Sequence, residues 1–117
     1  MKILLVDDDT DLGKIIVSRL SRRGMVVVLA ASLVDAYRNF DAVAGDFGAI
    51  LCDYHLGSET GLSFFDYVAA KGFVGRFVVM SGDDCPSPRL SELCLSGKCY
   101  HVLKPFDLES LVSVIKG

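Results

Sequence analysis

From end to end, the chain alternates between strand-sized apolar runs and segments whose apolar residues recur at helical spacing. The runs at 3–6, 25–31, 49–52 and 77–80 are all far shorter than a membrane span. Residues 2–6 (Lys-Ile-Leu-Leu-Val) are nearly continuous in apolar character, as expected of a strand buried on both faces. Leu12, Ile15, Ile16 and Leu20 then share one face of a helix predicted over 10–23, closed by Gly24.

The spacing predicts a second strand over 25–29, and a helix over 33–43 capped by Ser32, with Asp35 three residues on. Gly45 and Gly48 mark the turn into a third strand over 49–52. A third helix over 61–70 is expected to turn Leu62, Phe65, Val68 and Ala69 inward, ahead of a fourth strand over 76–80. Pro86 and Pro88 confine the next helix to 88–95, with Leu90, Leu93 and Cys94 inward. The fifth strand is 100–103. Asp107 caps a last helix whose Leu108, Leu111, Val112 and Ile115 fall at i, i+3, i+4 and i+7.

Five strands alternating with five helices predict one α/β domain over 1–117, a doubly wound parallel sheet with right-handed crossovers and helices on both faces. A length of 117 residues suits one such domain, and 51% hydrophobic against 23% charged residues can fill its core and still cover it with polar groups. Mean hydropathy is high at +0.43, yet the apolar runs are short, no signal-peptide layout follows Met1, and a cytoplasmic protein without a membrane segment is expected. A net charge of −3 argues against a nucleic-acid surface on this domain. Cys52, Cys85, Cys94 and Cys99 contain no C-x-x-C pair and read as reduced thiols, Cys52 as a small core residue.

In such sheets ligands bind beyond the carboxyl ends of the strands. The first strand ends in Asp7-Asp8-Asp9, the third in Asp53, the fourth in Ser81 and the fifth in Lys104. Four of the five strands thus deliver a polar residue to one edge, and Asp7, Asp8, Asp53, Ser81 and Lys104 are expected to converge there. Singly, each has a plainer reading as a cap or a solvated side chain, the one preferred for Asp9 and Asp11 at a helix start. Together, random caps would not fall at successive strand ends of one sheet. Clustered carboxylates repel one another unless a cation sits among them, and hard oxygen ligands with room for water suit Mg²⁺. Asp53 is then placed to act as a carboxylate nucleophile toward phosphorus. Lys104 supplies a mobile positive charge and Ser81 a hydroxyl donor.

These residues resemble the receiver domain of two-component response regulators over nearly the whole chain. The likeness rests on Leu5-Val6-Asp7-Asp8, on Asp53-Tyr54-His55-Leu56 leading to Gly61, on Met80-Ser81-Gly82 and on Lys104-Pro105-Phe106, in order and spacing. It implies a flavodoxin-like sheet of order 2-1-3-4-5. It also implies Asp53 as phosphoacceptor, with Mg²⁺ held by Asp8 directly, Asp7 through water, Asp53 and the backbone carbonyl of His55. Ser81, Gly82 and Lys104 would contact the phosphoryl group, and Lys104–Pro105 would be a cis peptide. His101 stands where members commonly carry an aromatic whose rotamer reports the active state. His55 occupies a place that tunes phosphoryl lifetime, and Gly57 replaces a frequent proline, which is expected to loosen that loop.

The function implied is a phosphorylation-controlled signalling switch, not an enzyme in the ordinary sense. A histidine kinase or a histidine phosphotransfer protein would donate to Asp53. The fourth helix, fifth strand and fifth helix, roughly 89–116, would carry the change to an output domain or a second copy of the chain. Two alternatives stand beside it. A haloacid-dehalogenase-type phosphatase also uses a strand-end Asp, Mg²⁺, a Ser or Thr and a Lys, but the residue four after the first Asp is Asp11, where threonine or valine is expected. A receiver-like module that never carries phosphate would not need the intact acidic pair, acceptor, serine and lysine.

Overall fold

Strand β1 (Lys2–Val6) shows how alternation builds two cores at once. Ile3, Leu4, Leu5 and Val6 are all fully buried. Successive side chains leave opposite faces of a strand, so Leu4 and Val6 enter one core and Ile3 and Leu5 the other. The protein is seen as a computed structural model that describes residues 1–84 and 86–117; the expectation for Cys85 lies outside the described residues.

The chain continues through α1 (Thr10–Ser21), β2 (Val26–Ala30), α2 (Leu33–Ala42), β3 (Ala49–Asp53), β4 (His55–Leu56), β5 (Glu59–Thr60), α3 (Gly61–Ala70), β6 (Arg76–Ser81), α4 (Pro88–Leu95), β7 (Tyr100–Leu103) and α5 (Leu108–Lys116). Five strands form one parallel sheet in the order β2-β1-β3-β6-β7. This is the predicted 2-1-3-4-5 arrangement, because β4 and β5 pair only with each other, antiparallel. Ile16 and Leu20 of α1 and Leu111, Val112 and Ile115 of α5 cover one face. Leu33, Ala36 and Phe40 of α2, Leu62, Phe64 and Val68 of α3, and Leu90 of α4 cover the other. Among the described residues no helix is long and apolar enough to cross a membrane.

The helix starts follow the cap chemistry in the sequence. Asp9, Ser32, Ser87 and Asp107 accept the backbone N–H groups of Leu12, Asp35, Leu90 and Ser110 respectively. Each such cap contributes on the order of 1 kcal/mol.

Four local expectations are corrected. Helix α1 stops at Ser21, not at 23, and β2 runs one residue later than 25–29. The reason is shared: Gly24 N–H bonds Ser21 O and Met25 N–H bonds Leu20 O, so Met25 closes the helix and cannot open the strand. Ile15 is 51% exposed, because Leu12, Ile16 and Leu20 form the i, i+4, i+8 row facing the sheet and Ile15 lies beside it. In α3, Phe64 is fully buried while Phe65 is half-buried and Ala69 exposed. Phe64 packs toward the α2 rings Tyr37 and Phe40, whereas Phe65 meets Phe77 edge-on. Gly57, with φ 63, turns the two-residue connection between β4 and β5, a conformation closed to the proline common there.

Candidate functional site

The carboxyl edge of the sheet gathers the predicted residues. Asp7 follows the last residue of β1 and is fully buried; its N–H bonds Ala30 O, extending the ladder by one rung. Asp53 is the last residue of β3 and is 8% exposed, and Ser81, the last of β6, is 1% exposed. Lys104 follows β7 and donates its N–H to Ser81 O at 2.7 Å, which fixes the two strand ends side by side. Asp8 is exposed.

Lys104 Nζ lies 3.3 Å from Asp53 Oδ1 and 3.6 Å from Asp7 Oδ2. Carboxylate oxygens of Asp7, Asp8 and Asp53 all lie within 4.8 Å of one another. Asp7 Oδ1 accepts the Asp9 N–H at 2.9 Å, but Oδ2 has no hydrogen-bond partner among the described residues. Burial pushes the Asp7 carboxyl above its ordinary value, with the Asp53 and Asp8 charges adding to it; the Asp9 N–H and Lys104 pull the other way.

An orphaned buried carboxylate oxygen beside two more carboxylates is what a hard divalent cation would satisfy. The donor set therefore fits Mg²⁺, which takes one or two protein carboxylates and keeps several waters. His55 opens β4, two residues past Asp53. Its imidazole is exposed and sits 3.8 Å from the Asp83 carboxylate across the mouth of the site.

Gly61 is a positioning residue that the sequence shows only as part of a motif. Its N–H bonds Tyr54 O at 2.8 Å, and a Cβ there would lie 2.6 Å from the Asp53 carbonyl oxygen and 2.9 Å from Cys52 Sγ. Helix α3 can therefore start against the end of β3 without displacing either backbone only with glycine at this position. Gly82 is exposed with open space around it.

The contact between Ser81 and His101 is not legible in the sequence. Ser81 pairs with Leu103 and Val79 with His101 across β6 and β7, so Ser81 and His101 are diagonal neighbours on one face of the sheet. His101 Nε2 lies 2.6 Å from Ser81 Oγ, and Ser81 Oγ lies 2.6 Å from Asp83 O. The Lys104–Pro105 peptide is cis.

Comparison with known proteins agrees with this geometry. Residues 3–116 match the family model described as the response regulator receiver domain. The transcriptional regulatory protein TrcR of Mycobacterium tuberculosis is 28% identical over 117 residues, which is all of this chain and 44% of that protein. The chain thus spans less than half the length of this relative. Among solved structures, the chemotaxis protein CheY4 of Vibrio cholerae superposes with a TM-score of 0.83 at 21% identity, covering 98% of this chain and 95% of that one. A response regulator of Burkholderia pseudomallei, solved with a phosphorylated aspartic acid, a calcium ion and citrate, gives 0.79 at 25% identity, covering 97% of this chain and 65% of that one. With its sheet order, its acidic strand ends and a family match over nearly its whole length, the chain belongs to the receiver domain family of two-component response regulators.

Proposed function

We propose that the chain is a phosphorylation switch in which Asp53 accepts a phosphoryl group from the phosphohistidine of a histidine kinase or a histidine phosphotransfer protein. The observation that carries this reading is the Asp53 carboxylate, held 3.3 Å from the Lys104 ammonium and within 4.8 Å of two further carboxylates, one with an orphaned oxygen.

In the reaction an Asp53 oxygen forms a bond to phosphorus as the P–N bond of the donor histidine breaks, and that nitrogen leaves with the electron pair. Asp7, Asp8, Asp53 and the His55 carbonyl would hold Mg²⁺, which when bound neutralises charge on the transferred group. Lys104 stabilises the same charge from the other side. Ser81, at the end of β6, and the Gly82 backbone that follows it would contact the phosphoryl group. Family membership favours this switch over a haloacid-dehalogenase-type phosphatase, and the intact acidic cluster favours it over a phosphate-independent module. The phosphorylated aspartic acid in the Burkholderia pseudomallei response regulator structure supports the same assignment.

The reading places the domain, spanning residues 1–117, in the cytoplasm. The surface that answers phosphorylation is α4, β7 and α5, where Leu95 and Leu103 stand exposed for an output domain or a second copy of the chain. Intact mass after incubation with acetyl phosphate tests the acceptor. One Mg²⁺-dependent phosphoryl adduct, absent in Asp53→Ala, is expected. A folded protein that forms no adduct with either acetyl phosphate or a phosphorylated histidine donor would refute the reading.

A further inference from the structure

The Ser81 hydroxyl has one proton and two close neighbours. Asp83 O can only accept, so Ser81 O–H is donated to it. If His101 Nε2 also had to accept, two lone pairs would face each other at 2.6 Å. Both contacts are satisfied only when Nε2 carries the hydrogen and donates to Ser81 Oγ. His101 thus fixes a serine whose hydroxyl is turned to its own loop and not toward Asp53.

We propose that His101 is a proton-linked positioning residue of the switch: its Nε2–H holds Ser81 on the Asp83 carbonyl in the resting state, and it gains a proton when a phosphoryl group arrives on Asp53. The inference rests on Asp53 as acceptor. When Ser81 turns its O–H to a phosphoryl oxygen, the bond from His101 remains, and a continuous relay runs from Nε2–H through Ser81 Oγ–H to the phosphoryl group. Negative charge at the far end of that relay stabilises a positive imidazolium at the near end.

In the resting protein the imidazole is half-buried, and burial holds it below the ordinary histidine range, so it is neutral near pH 7. Among the described residues, the charged and titratable groups that face it can be named. Asp84, from the loop after β6, lines the groove on its α4 side with Cys94 of α4 and favours protonation. Asp107, at the start of α5, lines the groove on the other side. The Asp83 carboxylate is turned to His55, and Lys104, three residues on, is turned to Asp7 and Asp53. None of these replaces the charge that a phosphoryl group would add.

Binding couplings are reciprocal. If phosphorylation raises the proton affinity of His101, then lowering the pH through its titration range stabilises the phosphorylated form. A phenylalanine or tyrosine at this position, with no group titrating near neutral pH, could not couple pH to the switch in this way.

The test is histidine ring ¹⁵N NMR on the full chain, titrated from pH 5 to 8, without ligand and then with Mg²⁺ and beryllofluoride as the phosphoryl mimic. His101→Gln, which keeps a donor but does not titrate, assigns the resonance; His101→Asn serves if that variant does not fold. In the ligand-free protein the neutral ring should be the Nε2–H tautomer. On loading, its midpoint should rise by about one to three pH units. The affinity for beryllofluoride should rise on acidification in the wild type relative to His101→Gln, where that extra dependence is lost. An Nδ1–H tautomer, or a midpoint unmoved by a mimic that binds, overturns this inference and leaves the acceptor reading intact. Failure of any mimic or phosphoryl group to bind at Asp53 overturns both.

Discussion

A Cβ added to Gly61 would lie 2.6 Å from the backbone carbonyl oxygen of Asp53, so the first residue of α3 and the last residue of β3 are packed against each other at backbone contact. Neither backbone is the free end of a flexible side chain, and the strain of a larger residue has to move one of them. Gly61→Ala is expected to lower stability by about 1–3 kcal/mol. It should also slow phosphorylation of Asp53 more than tenfold, since a small misplacement of a nucleophile is costly in rate. Urea unfolding and the rate of adduct formation measure the two effects separately. A variant with wild-type values of both would show that the loop yields freely.

Asp7 costs the metal-free fold stability, because its Oδ2 is buried without a hydrogen bond. Asp7→Asn should therefore leave the protein equally stable or more stable in EDTA, by up to about 2 kcal/mol. The same variant should lose most of the stabilisation that Mg²⁺ gives the wild type. Denaturation midpoints with and without Mg²⁺ decide it; a variant that is less stable in EDTA yet still gains from Mg²⁺ would contradict this account of Asp7.

Lys104 competes with any cation for the same carboxylates, since its ammonium sits 3.3 Å from Asp53 and 3.6 Å from Asp7. Lys104→Met should tighten Mg²⁺ binding several-fold in calorimetry, and should weaken the conformational response to phosphorylation. Unchanged Mg²⁺ affinity would mean that the lysine lies elsewhere in solution.

Arg89 of α4 forks onto Asp66 of α3, with Nη1 at 2.8 Å from Oδ2 and Nη2 on Oδ1. The hydrogen bond from Arg89 is the main reason the Asp66 carboxyl lies below its ordinary value of 3.8. Both side chains are about half exposed, so screening limits the pair to less than about 1 kcal/mol. The sign follows from the depressed folded-state value: the contribution is fully present above pH 3.8 and is lost as pH falls below it. Arg89→Ala should be slightly less stable than the wild type at pH 7, and the gap between the two should close as the pH falls below 3.8. A gap that stays constant into acid would assign the effect to packing.

Burial pushes the Cys99 thiol up to about 12 and the Cys52 thiol well above its ordinary value, the Asp53 charge adding to the shift at Cys52. Thiolate is the reactive form, so neither residue should be alkylated by iodoacetamide in the native protein at pH 8, whereas both should react in urea. Peptide mapping of either residue labelled under native conditions would show that its segment of the core opens.

Much of this molecule could be read from the residues in order. Continuous apolar character at 3–6 and 49–52 requires two buried faces, and the caps at Asp9, Ser32 and Asp107 start helices where a side-chain oxygen is in reach of an N–H three residues on. Asp7, Asp53, Ser81 and Lys104 converge because each ends a strand of one parallel sheet. All of these are local properties: a period, a cap, a strand terminus.

The tertiary structure decided what depends on neighbours that are distant in sequence. Whether Phe64 or Phe65 takes the deeper place is set by the rings of α2, and the exposure of Ile15 by which row of α1 meets the sheet. Gly61 matters because α3 begins against Asp53, not because of anything in its own helix. His101 reaches Ser81 only through the register of β6 against β7, which places them diagonally on one face. Periodicity records which side of the sheet a residue faces, but the partner it meets there is fixed by strand register and helix packing, which no single segment encodes.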